Sequence, residues 1–497
     1  MDIKKDIRQS GVLCHISSLP SRYGIGTFGQ RAYEFIDFLY ETGQKCWQVL
    51  PMGPTSFGDS PYQSTSAFAG NPYFIDLDFL VRDGLLDSEY LSTVYGICDP
   101  CKVDYGALYR TRGEIFWRVA ENFSDDDSPQ YKEFCQVSRE WLDDFSLFSA
   151  LKEENGGRPW AELDHDLKFR DAGAIERARE RLAGSIRKHK ILQFLFMKQW
   201  FALKSYAELK NVKIIGDMPI YVAYDSADVW CAPDMFKLNG ELYPSKVAGC
   251  PPDAFSPDGQ LWGNPLYYWE SAERRDRIYD WWRRRLSQAT KLFDVVRIDH
   301  FRAFADYYSI PAGSPNARYG EWRSGAGEGF FEYLKNELGE LPIIAEDLGF
   351  LTDKVRDLLA STGFPGMKIV QFGFDSDADN EYLPHNYQRN SVVYIGTHDN
   401  PTAREWLESL SDAEYEKARE YMRLSERGDV WGLIRAALSS VSNTAIFTIQ
   451  DLLMLGKEGR MNTPSISVGN WTYRAPEDYI FKIDRARLKS LTQIYGR

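Results

Sequence analysis

"VVRIDHFRAF", Val295 to Phe304, decides how the rest of the chain is read. An apolar pair runs into Arg297, Asp299 and His300, preceded by "LFD". The apolar run has the length and composition of a strand, and residues i and i+2 of a strand share a face. Arg297 and Asp299 therefore stand side by side where a buried strand ends. One such pair is an internal ion pair or a working site, and the remaining strand ends bear on which.

Seven other segments have the same form, an apolar run closed by a polar residue and a Gly- or Pro-containing turn. They are "GVLCHISSLP", "KCWQVLPMGP", "VKIIGDMPIYV", "LPIIAEDLG", "MKIVQFGFD", "SVVYIGTHDN" and "TAIFTIQDL". Nearly continuous apolar runs mark strands covered on both faces. Helical patterns lie between most of them. "KILQFLFMKQWFALKSYAELKN" precedes the third strand and "SGAGEGFFEYLKNELGE" the fifth. "LTDKVRDLLASTG" precedes the sixth, with Thr352 as N-cap and Gly363 as its stop. Eight strands alternating with helices predict an α/β fold, a (β/α)8 TIM barrel. An open doubly wound sheet fits less well, because no glycine-rich phosphate turn follows an early strand.

The expected organisation is a single catalytic barrel over residues 1–497 with large insertions after strands 2 and 3. The first, about 78–190, reads as mainly helical. The second, about 218–290, contains the Pro/Gly-rich "VAGCPPDAFSPDGQLWGNP", whose 247–260 stretch is expected over the cleft. Barrels accept such insertions on the face that carries the C-terminal strand ends and the active site.

Composition narrows the function. A net charge of −13 gives no attraction to nucleic acid or to anionic membranes. "ERRDRIYDWWRRRL" is locally basic but alternates in sign, as a solvated helix face does. No run is long enough to span a membrane, no signal peptide is visible, and seven scattered cysteines suit a reducing cytoplasm. "CDPC" at 98–101 is a lone pair without zinc-finger spacing.

The strand ends carry the chemistry. The third ends in Asp217, the fourth in Asp299, and the fifth in Glu346 and Asp347. The seventh ends in His398 and Asp399, and the eighth near Gln450 and Asp451. A lone strand-end carboxylate is usually a cap or a loop partner; several on one rim suggest catalysis. No EF-hand loop or HExxH is present, so no metal is expected. Glycoside cleavage fits: one carboxylate attacks the sugar and a protonated carboxyl serves the leaving oxygen. Arg297 beside Asp299 is expected to lower its pKa and keep it ionised as the nucleophile. Glu346 is the natural acid/base, although residue chemistry leaves Asp347 open. Tyr62, Phe255, Trp262 and Trp471 lie in Pro/Gly-rich loops and are candidate platforms for sugar rings.

Together "VVRIDHFRAF", "IIAEDLG" and "GTHDN" resemble the catalytic strand ends of the α-amylase superfamily. "HISSLPSRYGIGTFG", "GDSPYQSTSAFAGNPYFIDL", "IIGDMPIYVAYDSADVW" and "VAGCPPDAFSPDGQLWGNPLY" narrow the resemblance to the 4-α-glucanotransferases called amylomaltase or disproportionating enzyme. It covers about residues 10–480. The resemblance implies transfer of an α-1,4-glucan segment to a 4-OH by a retaining double displacement. Asp299 would be the nucleophile, Glu346 the acid/base and Asp399 the transition-state stabiliser. Arg297 and His398 would surround the reacting sugar, while Ser60, Tyr62, Asp217, Trp262 and Asn470 would contact the glucan. No cofactor and no C-terminal β-domain are implied, and the partners are maltooligosaccharides and α-1,4-glucans. The chain would act as a monomer or homodimer. A hydrolase using the same carboxylates is the alternative. Phe57 stands where some relatives carry a tyrosine of a remote glucan site, which puts that site in doubt.

Overall fold

The computed structural model describes residues 8–497 apart from 57, 93–98, 125–127, 253–255, 350 and 467. Phe57, Phe255 and Cys98, singled out in the sequence, lie outside the described residues. Twelve strands are present among the described residues, in chain order. They are β1 Gln9–Leu13, β2 Cys46–Gln48, β3 Lys213–Pro219, β4 Lys246–Cys250, β5 Gln260–Pro265 and β6 Val295–Asp299. Then follow β7 Asp306–Pro311, β8 Glu321–Ser324, β9 Ile343–Ala345, β10 Gly366–Ile369, β11 Ser391–Tyr394 and β12 Thr444–Thr448.

Eight of these form one all-parallel sheet in the order β10-β11-β12-β1-β2-β3-β6-β9. They are the eight strands read from the sequence. The ring closes between β9 and β10, where Ala345 N–H donates to Pro365 O at 3.0 Å. The expected barrel is therefore correct. Strands buried on both faces need side chains that admit the outer helices. On β3, a Cβ at Gly216 would stand 2.1 Å from the Phe293 ring, so only glycine allows that close approach.

The helix before β3 is longer than the apolar run suggested. It spans Ala183–Leu209 and carries the chain from the insertion back to the barrel. There Tyr206 donates to Asp37 at 2.7 Å and Trp200 packs on Phe28. The rest of that insertion includes the helices Tyr105–Asn122, Pro129–Val137, Arg139–Glu154 and Ala172–Arg181. The helix before β10 runs Asp353–Thr362. Gly363 follows it with φ 69°, while Thr352 makes no side-chain cap bond. The basic stretch is a helix, Ala272–Leu292, with Trp281, Trp282 and Arg285 on its buried side.

The sequence reading missed a second sheet, antiparallel, in the order β5-β4-β7-β8. It joins the insertion after β3 to a further one after β6. The Pro/Gly-rich stretch read as loop contributes the hairpin β4–β5, with a register irregularity between Val247 and Gly249. β8 escaped notice because its four residues, "EWRS", are all exposed and carry no apolar alternation. No helix of the described residues is long and apolar enough to cross a membrane.

Candidate active site

Strand register assembles the site. Asp217 pairs with Arg297 across β3–β6, and Arg297 pairs with Ile344 across β6–β9. With a period of two, the next row along that face brings Asp299 beside Glu346, and Asp347 points the other way. By parity Glu346, and not Asp347, shares the face of Arg297 and Asp299. Asp347 is buried and accepts the Met367 N–H at 2.6 Å. A Cβ at Gly366 would stand 2.4 Å from its carboxylate. Asp347 is therefore spent on closing β9 to β10. Asp451 is diverted in the same way: it is buried and accepts Ala403 N–H at 2.7 Å, at the start of a helix. Both had been placed on the rim by the sequence.

Arg297 is the hub. Its Nη1 lies 2.7 Å from each oxygen of Asp217, and its Nη2 donates to Asp299 Oδ1 at 3.0 Å. The Tyr62 hydroxyl completes Asp217 at 2.7 Å. Arg297 and Asp217 are both buried, and a buried guanidinium between two carboxylates holds the three groups in fixed geometry. The expected net lowering of the Asp299 pKa is not found. Burial has the largest influence and raises it; Arg297 opposes this, and Asp399 adds to the rise. The arginine limits the rise rather than reversing it.

Glu346 is held by backbone. Its Oε2 accepts the His300 N–H at 2.7 Å and its Oε1 the Leu348 N–H at 2.9 Å. His300 delivers that N–H from the left-handed region, φ 54°. For a non-glycine residue this conformation costs of order 1 kcal/mol. Burial, and then the neighbouring Asp299 charge, raise the Glu346 pKa to about 7. His300 itself is pushed down to about 3 by burial, so its imidazole is neutral.

Asp399 follows β11 by five residues. Its Oδ1 accepts from Asn462 Nδ2 at 2.6 Å and lies 3.4 Å from His398 Nε2. The His398 ring stacks on Tyr62 with centroids 5.2 Å apart and planes at 16°. Trp471 closes that wall, 5.7 Å from Tyr62 and 5.8 Å from His398, but it is buried rather than an open platform. His398 Nδ1 is buried with no hydrogen-bond partner among the described residues. Burial lowers the His398 pKa, so the ring presents a neutral edge.

The remaining sequence candidates divide. Trp262 sets its indole edge-on at 4.8 Å to His300, the residue whose N–H holds Glu346. Ser60 makes the turn that presents Tyr62, its hydroxyl accepting the Tyr62 N–H at 3.3 Å. Asn470 spends its amide on its own loop. Its oxygen accepts from Thr463 N–H at 2.9 Å and its nitrogen donates to the carbonyls of Thr463 and Ile466. Sequence reasoning missed Asn462, because an Asn in "RMNTPS" reads as an ordinary turn residue. It also missed the pair Gln63–Asn264. Gln63 Nε2 donates to Asn264 Oδ1 at 3.0 Å, and Asn264 Nδ2 donates to Val222 O at 2.8 Å. That pair ties the loop carrying Tyr62 to the strand carrying Trp262. Among the described residues no group of three or more His, Cys, Asp or Glu is arranged to hold a metal ion.

A protein-family profile described as 4-alpha-glucanotransferase matches residues 14–479. A 4-alpha-glucanotransferase of Clostridium butyricum is 49% identical over 488 residues, covering 97% of this chain and 99% of the relative. That of Streptococcus pneumoniae serotype 4 is 48% identical over 497 residues, covering 99% and 97%. Among solved structures, the amylomaltase from Streptococcus agalactiae in complex with acarbose superposes with a TM-score of 0.95. It shares 42% identity and 99% coverage of both chains. Four carboxylates from four barrel strand ends, in a chain this similar over its whole length, lead to one conclusion: the chain belongs to the 4-alpha-glucanotransferase family and has that activity on α-1,4-glucans.

Proposed function

We propose that the chain transfers glucan segments by a retaining double displacement with Asp299 as nucleophile, Glu346 as acid/base and Asp399 as transition-state stabiliser. The observation that carries this is the difference between the two central carboxyls. Asp299 is bonded to a guanidinium, while Glu346, bonded to the backbone amides of His300 and Leu348, has a pKa near 7. A group poised near neutrality serves as acid in one step and base in the next.

In the first step the Asp299 carboxylate attacks the anomeric carbon. The bond to the leaving O4 breaks, and the Glu346 proton passes to that oxygen. In the second step Glu346 takes the proton of an acceptor 4-OH, that oxygen attacks the anomeric carbon, and Asp299 is released. Two inversions give net retention. Asp399, bonded to Asn462 and beside His398, partners the sugar hydroxyls and the developing charge. Arg297, Asp217, Tyr62 and Trp262 shape the pocket around the reacting sugar, and Ser60 orders the Tyr62 turn. The donors and acceptors are maltooligosaccharides, in keeping with the acarbose bound by the Streptococcus agalactiae amylomaltase. The helical insertion, about 78–190, and the one at about 218–290 are proposed as walls of the cleft, with the described part of the 247–260 stretch over it.

Incubation with maltotriose tests the reading. A ladder of longer oligosaccharides supports transfer; glucose and maltose alone would make the chain a hydrolase with the same carboxylates.

A further inference from the structure

Trp322 is an aromatic ring fixed in place and left open. It lies on β8, the edge strand of the antiparallel sheet, and is 45% exposed. The Arg302 guanidinium covers its ring at 4.1 Å, and Tyr308, its register partner on β7, meets it at 5.2 Å and 60°. Arg302 is buried and tied to Asp306 Oδ1 at 2.6 Å. The other Asp306 oxygen accepts from Thr352 Oγ1 at 3.2 Å. Large apolar rings on a surface are normally mobile or packed away. This one is clamped by a cation and a ring while much of its surface meets solvent.

Its position relative to the site gives the clamp a meaning. Arg302 stands two residues beyond His300, the residue whose N–H holds Glu346. Thr352 lies on the segment that leaves Glu346 on the other side. Trp322 is thus joined, through Arg302, Asp306 and Thr352, to both chain segments that flank the acid/base. In a double displacement the group beside the acid/base is first the leaving glucan and then the acceptor. Sugars present C–H faces to aromatic rings, and a ring already immobilised loses little entropy on stacking.

We propose that Trp322 is a stacking subsite for the acceptor glucan, beyond the sugar that abuts Glu346. The proposal rests on the assignment of Glu346 as acid/base. It predicts that Trp322 governs how long an acceptor is used well, through a contact that the donor half of the substrate does not make.

The test uses α-maltotriosyl fluoride as donor, which needs no sugar on the leaving side, and maltotriose as acceptor. Fluoride release without acceptor reads formation and hydrolysis of the intermediate; elongated product reads transfer. In Trp322→Ala the acceptor concentration for half-maximal transfer should rise about tenfold more than any change in acceptor-free fluoride release, the scale of one lost stacking contact. Trp322→Phe should restore most of it. Equal acceptor dependence in wild type and W322A overturns the proposal. So does a parallel loss of both readouts, which marks structural damage. Wild-type fluoride release without elongated product is the separate failure of the transferase reading and overturns this proposal with it.

Discussion

Glu346 and His300 are joined by a 2.7 Å hydrogen bond from the backbone N–H of His300, which is left-handed at φ 54°. The bond orients Glu346, the proposed acid/base, through a neutral backbone donor. Its pKa of about 7 then follows from burial and from the Asp299 charge. The first step needs Glu346 protonated, so kcat/KM should fall as pH rises through about 7. Removing the Asp299 charge removes one of the two causes. In Asp299→Asn the Glu346 pKa should drop, and a carboxyl-carbon NMR titration would read the change. An unmoved or higher value would contradict the coupling.

Asp347 and Glu346 are neighbours with opposite fates. Glu346→Gln should cost roughly 10²–10⁴ in turnover, the usual contribution of a general acid/base. Asp347→Asn keeps an oxygen for the Met367 N–H and should leave turnover within a few-fold. Asp347→Ala leaves that buried N–H unpaired and should cost about 1–3 kcal/mol of stability instead. Thermal unfolding and steady-state rates separate the two kinds of loss.

Asn462 should behave as a positioning residue for Asp399. A hydrogen bond to a charged group contributes ~1.5–3 kcal/mol, so Asn462→Ala should lower kcat about tenfold or more. The Asp399 side chain is 43% exposed, so water replaces the lost bond in the free enzyme and the melting temperature should hardly move. A variant that melts early with normal kcat would show that the bond is structural only.

The Gln63–Asn264 pair predicts a different signature. Asn264→Ala unties the Tyr62 loop from β5 and strips the Val222 carbonyl of its donor. Donor KM should rise and stability fall together, with transfer still measurable. Maltotriose kinetics and a melting curve on the same preparation check both.

Much of this was legible in sequence because the barrel strands advertise themselves. Each is a short apolar run, and "VVRIDHF" places Arg297 and Asp299 on one face by period alone. Which of Glu346 and Asp347 faces Asp299 was not legible, because it depends on the register of β9 against β6, a long-range fact. The net direction of the Asp299 pKa also escaped. A neighbouring arginine is visible in sequence, whereas the burial that outweighs it is not. Asn462, Gln63 and Asn264 are ordinary turn and loop residues until folding brings them to Asp399 and Val222. The second sheet was hidden because β8 has no apolar alternation and the β4–β5 hairpin is rich in Pro and Gly.

The most direct test of the account is to trap the intermediate. A 5-fluoro-α-glucosyl fluoride should accumulate the glycosyl-enzyme, and peptide mass spectrometry should find the sugar on Asp299, in the peptide containing "VVRIDHFR". Asp299→Asn should abolish both the adduct and turnover, by on the order of 10⁴-fold. An active enzyme with no adduct, or with the sugar on another residue, would contradict the double displacement through Asp299.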